Sequence, residues 1–203
     1  MIGFSLLAEK AVSQTGVSSL LNLPLSKYCD DNYTDKNSLH SYLPVYETLL
    51  TEILHRKKSP IRLLEIGIQR GGSQLLWLNA LPGSYITGVD IQTPMNKIIA
   101  PNYKEIIGNA YNKRFLETEL LGCEYDFIVE DGSHCYNDLL FFMKYYPNHL
   151  ALNGIIVIED IPEVSWFQDL KDELPKGFSM ELIDRRSIKG RWDDVLIVIR
   201  RER

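Results

Sequence analysis

Five short runs rich in β-branched and aromatic residues recur through the middle of the chain, separated by helical or turn-bearing stretches. They are IRLLEIG (61–67), YITGVDI (85–91), YKEIIG (103–108), YDFIVED (125–131) and GIIVIED (154–160). Such alternation predicts parallel strands joined by crossover helices, because a parallel pair needs a long connection and the helix supplies it. GIIVIED is apolar almost throughout, the pattern of a strand covered on both faces. The last two runs differ. FSMELID (178–184) and WDDVLIVIRR (192–201) follow each other across a short turn containing Gly190, which predicts a hairpin. The expected architecture is therefore α/β, a doubly wound seven-stranded, mostly parallel sheet with a C-terminal antiparallel hairpin. In such a sheet a ligand binds beyond the carboxyl ends of the strands, at the switch point.

Ahead of this pattern, apolar residues recur at helical spacing from Leu43 to about His55, ending in Arg56, Lys57 and Lys58 before Pro60. Residues 1 to about 32 are mixed, with Leu20, Leu21, Leu23 and Leu25 interrupted by Pro24, and predict an arm or short helix packed on the body. With 203 residues, 45% hydrophobic and 24% charged, one buried core is the economical expectation. A net charge of −5 without a long basic run argues against nucleic acid as partner. The apolar runs fall short of the roughly 18 residues that cross a bilayer, so no membrane partner is expected. Cys29, Cys123 and Cys135 are odd in number and lack CxxC spacing, and the amino terminus has no secretory pattern, so the expected compartment is the reducing cytoplasm.

The segment LLEIGIQRGGS puts Glu65 and Gly67 at the end of the first strand and Gly71, Gly72 and Ser73 at the start of a helix. Glycines let backbone approach a ligand, and free amides at a helix start suit polar groups. Gln69 stands where a dinucleotide fingerprint has its second glycine, which weakens a dinucleotide reading. Glu65 sharpens the choice: a carboxylate there repels pyrophosphate but favours the cationic amino-acid end of S-adenosylmethionine. Asp90, 25 residues on at the second strand end, is placed to accept from ribose hydroxyls. Asn109, after the third strand, is placed to bond the adenine edge. Ile91, Ala110 and Glu130 beside these strand ends complete the cofactor set with Gly67 and Ser73.

The fourth and fifth strand ends carry Asp131, Ser133 and His134, and Glu159 and Asp160. Neighbouring strand ends would crowd Asp131, Glu159 and Asp160 around one spot, a costly concentration of like charge unless a cation relieves it. Mg²⁺ or another hard divalent cation suits an oxygen-only site. Histidine is the side chain whose unperturbed pKa, near 6.5, suits proton transfer at neutral pH, which makes His134 the candidate general base for an acceptor hydroxyl. Asp138, Asp193 and Asp194 read as surface or turn charges, and Phe141, Phe142, Tyr145 and Tyr146 as helix core.

YTDKNSLHSYLPVYETLL, LLEIGIQRGGSQLLW, GVDI, DFIVEDGSH and NGIIVIEDI resemble the macrolide-sugar (mycinamicin-type) O-methyltransferases and, more distantly, cephalosporin hydroxylase-like proteins. The resemblance covers about residues 33 to 161. It implies a Rossmann-like class I methyltransferase fold, a metal held at Asp131, Glu159 and Asp160, His134 as base, and a sugar or glycoside hydroxyl as acceptor. It also implies that Thr34, Asp35 and Lys36, with His40 and Tyr42, fold over the site, Thr34 and Lys36 toward the cofactor and His40 and Tyr42 toward the substrate. Residues 1–58 are then an arm, helices and lid, and 59–203 one catalytic unit, with a homo-oligomer left open. Asn109 departs from the family, which commonly has aspartate there. Two other readings remain. A non-haem iron oxygenase normally wants two histidines and one carboxylate, and only His134 lies in the cluster, with His40 remote in sequence. The other is a binding protein that has lost catalysis.

Overall fold

Each apolar run becomes a strand in the computed structural model, which describes residues 21–57 and 60–201. They are β1 (Arg62–Ile66), β2 (Tyr85–Asp90), β3 (Tyr103–Ile107), β4 (Tyr125–Glu130), β5 (Leu150–Ile158), β6 (Phe178–Asp184) and β7 (Val195–Arg201). The sheet order is β3-β2-β1-β4-β5-β7-β6. The first five strands run parallel, and β7 lies antiparallel between β5 and β6. The order reverses between β1 and β4, which opens the crevice where a ligand is expected.

Alternate residues of each central strand face opposite layers. Leu63, Phe127, Val129, Ile155 and Val157 pack with α1 (Leu43–Lys57) and α2 (Gly72–Ala80). Leu64, Ile66, Ile128, Ile156 and Ile158 pack on the other side with α3 (Lys113–Phe115), α4 (Tyr136–Tyr145) and α5 (Phe167–Glu173). Phe142 and Tyr146 are fully buried there, as the sequence suggested, with stacked rings 4.5 Å apart.

Three boundaries differ from expectation. Strand β5 begins four residues early, at Leu150 rather than Gly154. The hairpin is not closed by a short turn: residues 185–194 intervene and include α6 (Arg186–Lys189), ended by Gly190 in a left-handed conformation. Strand β7 accordingly starts at Val195 instead of Trp192. Of the expected N-terminal arm, residues 1–20 lie outside the described residues. The described part does pack on the body, since Leu21 and Leu25 are buried beside α1 and the Leu25 amide donates to Glu47 Oε1 at 2.6 Å. Among the described residues no helix is long and apolar enough to cross a membrane.

Candidate active site

The carboxyl ends of β1, β2, β3 and β4 open into a cavity of about 620 Å³, within the usual range of small-molecule sites. Ten of the sixteen site residues expected from the sequence line it: Thr34, Gly67, Ser73, Asp90, Ile91, Asn109, Ala110, Asp131, His134 and Asp160. On one wall is the glycine turn. Gly67 has φ +93°, and a Cβ built there would lie 1.9 Å from the Asp131 carbonyl oxygen, so only glycine lets β1 and β4 ends meet. The segment at Tyr33 also presses on the start of α2, where a Cβ on Gly72 would lie 2.4 Å from the Tyr33 carbonyl. Asp90 pins the turn to β2, its Oδ2 accepting from the Ile68 and Gln69 amides at 2.8 and 2.9 Å. Among the described residues its Oδ1 accepts only from the Gln92 amide, at 3.0 Å, and keeps a lone pair for a ligand.

The other six predicted residues sit behind this wall. Glu65 is fully buried, with Oε2 accepting from Gln74 and Trp77 at 2.7 Å each. Burial pushes its carboxyl up to about 7 against the pull of Lys36. The Lys36 ammonium is also fully buried and donates to Asp131 Oδ2 at 2.6 Å and to both Glu159 oxygens at 2.7 and 2.8 Å, with Glu65 Oε1 3.4 Å away. Burial alone would lower its pKa, but Asp131, Glu159 and Glu65 outweigh that and hold it well above the usual lysine value. Glu159 accepts in addition from the Tyr46 hydroxyl. Burial and the nearby Asp131 raise its carboxyl. Tyr42 donates to Asp160 Oδ1 at 2.5 Å. His40 is not remote: it stacks on Tyr42, and its Nδ1 lies 3.2 Å from that same oxygen.

Glu130 accepts from the Tyr111 hydroxyl and, at 3.3 Å, from the Gly132 amide, while its Oε2 is buried without a hydrogen-bond partner among the described residues. Burial pushes this carboxyl from 4.5 to about 7. The folded protein then holds a proton that the unfolded chain releases, so stability falls as pH rises through that window. In metal-free Glu130→Gln this loss is expected to shrink by about 3 kcal/mol. Urea unfolding on either side of the window measures it, and equal slopes in the two proteins would rule the assignment out.

The atoms left facing the cavity are Asp131 Oδ1, Asp160 Oδ2 and His134 Nε2, the histidine nitrogen being 3.8 and 3.9 Å from the two oxygens. These three residues can place one ligand atom each within 4.8 Å of one another. His134 and Asp160 reach this arrangement with φ +51° and +52°, conformations a non-glycine residue adopts at a cost of order 1–3 kcal/mol. Two carboxylate oxygens beside an open cavity suit a hard cation that keeps several waters. Glu159, expected as a third ligand, accepts from Lys36 with both oxygens and from Tyr46 with one. Burial and Asp131 push Asp160 up to about 6, against the pull of His40 and Tyr42.

Sequence reading missed the second layer. Asp193 and Asp194 are not surface charges: both are buried, Asp194 completely. Asp194 accepts from the Ser41 amide and, at 2.8 Å, the Ser41 hydroxyl, and Arg191 forks onto Asp193. Lys189 donates to the carbonyls of Asn37, Ser38 and His40. The β6–β7 connection therefore clamps the segment carrying Lys36, His40 and Tyr42. Asp138 too departs from expectation, lining the cavity and accepting from Ser133 Oγ at 2.6 Å. The available signal was position: Asp193 and Asp194 abut an apolar run that had to be central.

No family model and no curated protein matches the chain by sequence. Solved structures do match in shape. The MycE methyltransferase of the mycinamycin biosynthetic pathway, in complex with Mg, SAH and mycinamycin VI, superposes with a TM-score of 0.69 at 21% identity, covering 89% of this chain and 55% of that one. The fold is that of Rossmann-like methyltransferases. The O-methyltransferase TomG from Streptomyces achromogenes, in complex with SAM, gives 0.60 at 16% identity, covering 92% and 93%. A putative O-methyltransferase from Klebsiella pneumoniae gives 0.57 at 14%, covering 88% and 99%. The chain thus spans about half the length of MycE but nearly all of the other two.

Proposed function

We propose that this protein transfers a methyl group from S-adenosylmethionine to a hydroxyl of a small polar acceptor, a sugar or glycoside, with a divalent cation such as Mg²⁺ at the site. The observation that carries the reading is the cavity with two unlike walls, a glycine turn pinned by Asp90 facing Asp131, His134 and Asp160. That MycE was solved with Mg, SAH and a mycinamycin supports it.

In this reading the donor lies along the ends of β1 to β3. Asp90 Oδ1 accepts from the ribose, and the Asn109 side-chain amide, whose Oδ1 already accepts from the Tyr111 amide at 2.8 Å, donates to the adenine edge. Thr34 covers it, and Glu65 and Glu130 act from behind the wall. Asp131 Oδ1 and Asp160 Oδ2 would hold the cation, which supplies acidification of an acceptor hydroxyl. His134 Nε2 takes the hydroxyl proton, and the cavity walls hold acceptor oxygen and methyl donor in line. His40 and Tyr42 fix Asp160. Residues 59–203 form the catalytic unit and residues 1–58 its arm and lid.

Labelled S-adenosylmethionine, Mg²⁺ and a panel of glycosides and nucleotide sugars test this, with label expected in one acceptor class only when Mg²⁺ is present. Turnover that survives chelation unchanged would defeat the mechanism, and tight donor binding without any product would favour a binding protein. An iron oxygenase is disfavoured because His40 and His134 approach opposite oxygens of Asp160 and share no group of three ligand atoms among the described residues.

A further inference from the structure

A buried ammonium among carboxylates is a stronger statement than a surface ion pair. An unpaired charge in this position would be expelled or neutralised, so Lys36 and its acidic partners must be read as one unit. Its Nζ touches side chains from the ends of three adjacent strands, Glu65 of β1, Asp131 after β4 and Glu159 after β5. It reaches them from the segment clamped by Lys189 and Asp194, not from the sheet. Glu159 gives both its oxygens to Lys36, whereas Asp131 gives only Oδ2 and Asp160 none.

Resting on the divalent-ion site proposed above, we infer that Lys36 is a built-in counter-ion and a positioning residue. It neutralises Glu159 and one oxygen of Asp131, so that the ion meets only Asp131 Oδ1 and Asp160 Oδ2. Two consequences follow from charge alone. The carboxylate cluster folds without metal, because a cation of the chain is already inside it. The site also stays poor in protein ligands, which suits Mg²⁺ with its retained waters and disfavours Ca²⁺, which takes six to eight oxygens. Seating of the segment around Lys36 and the ligand count of the ion site are then the same event.

The full-length protein tests this without donor or acceptor. In Lys36→Met the melting temperature in chelator should drop by several degrees, and Ca²⁺ should bind at least about tenfold more tightly than to wild type, because Glu159 is released to the ion. Adding Glu159→Gln should restore the melting temperature and abolish the gain in Ca²⁺ affinity. In wild type, Mg²⁺ should leave amide exchange of residues 33–42 as slow as in chelator. A Lys36→Met protein with unchanged melting and Ca²⁺ affinity overturns the inference. So does a misfolded variant rescued by neither Ca²⁺ nor Glu159→Gln, since the stem and not the charge would then matter. Faster exchange of residues 33–42 on adding Mg²⁺ would also overturn it, showing that Lys36 and the ion compete for one place. Absence of methyl transfer leaves these readouts intact, whereas wild type that binds no divalent ion defeats the ion-site reading and this inference with it.

Discussion

Replacing Asp131 by asparagine is expected to cut the metal-dependent methyl transfer proposed above by about a thousandfold, about 4 kcal/mol of transition-state stabilisation. The residue serves two charges at once, with Oδ2 on Lys36 and Oδ1 open to the cavity beside His134. Asparagine keeps the shape and the backbone bond from the Asp131 amide to the Ile66 carbonyl, at 2.9 Å, so the loss reports charge and not geometry. Stability should also fall, by about 2 kcal/mol, because Lys36 loses one of its partners while Asp131 is itself partly solvated. Turnover measured across a Mg²⁺ titration separates the two effects. A variant that turns over within tenfold of wild type at saturating Mg²⁺ would remove Asp131 from the ion site.

Gly67→Ala should cost more than 4 kcal/mol, a size reserved for substitutions the fold cannot absorb. The methyl would sit 1.9 Å from one backbone oxygen and 2.6 Å from its carbon, at a φ of +93° that L side chains rarely adopt. No flexible side chain can step aside, because the obstacle is the chain at Asp131. Denaturant unfolding gives the loss directly. Melting within a couple of degrees of wild type would mean that the β1 and β4 ends are further apart than described.

The strands were legible because parallel strands buried on both faces write themselves as apolar runs, and the residue after each run is then a strand end. That logic found Gly67, Asp90, Asn109, Asp131, His134 and Asp160, which all line the cavity. It could not apportion charge among neighbours. Whether Glu159 meets an ion or Lys36 depends on a contact across 123 positions, and whether Asp194 is solvated depends on Ser41, 153 positions away. Glu65 shows the same limit. Its place at the end of β1 suggested the donor's amino group, but Gln74 and Trp77 on α2 claim one oxygen and Lys36 faces the other. The left-handed backbone at His134 and Asp160 leaves no mark in residue type, since strain of this kind is held by surroundings.

The position of β7 bears on how the molecule is made. Its pairing with β5 through Ile155, Ile156, Val157 and Ile158 covers the open edge of the parallel strands with residues synthesised only after them. Until they emerge from the ribosome, a nascent chain carries a bare, wholly apolar strand edge, the kind of template on which unrelated chains aggregate.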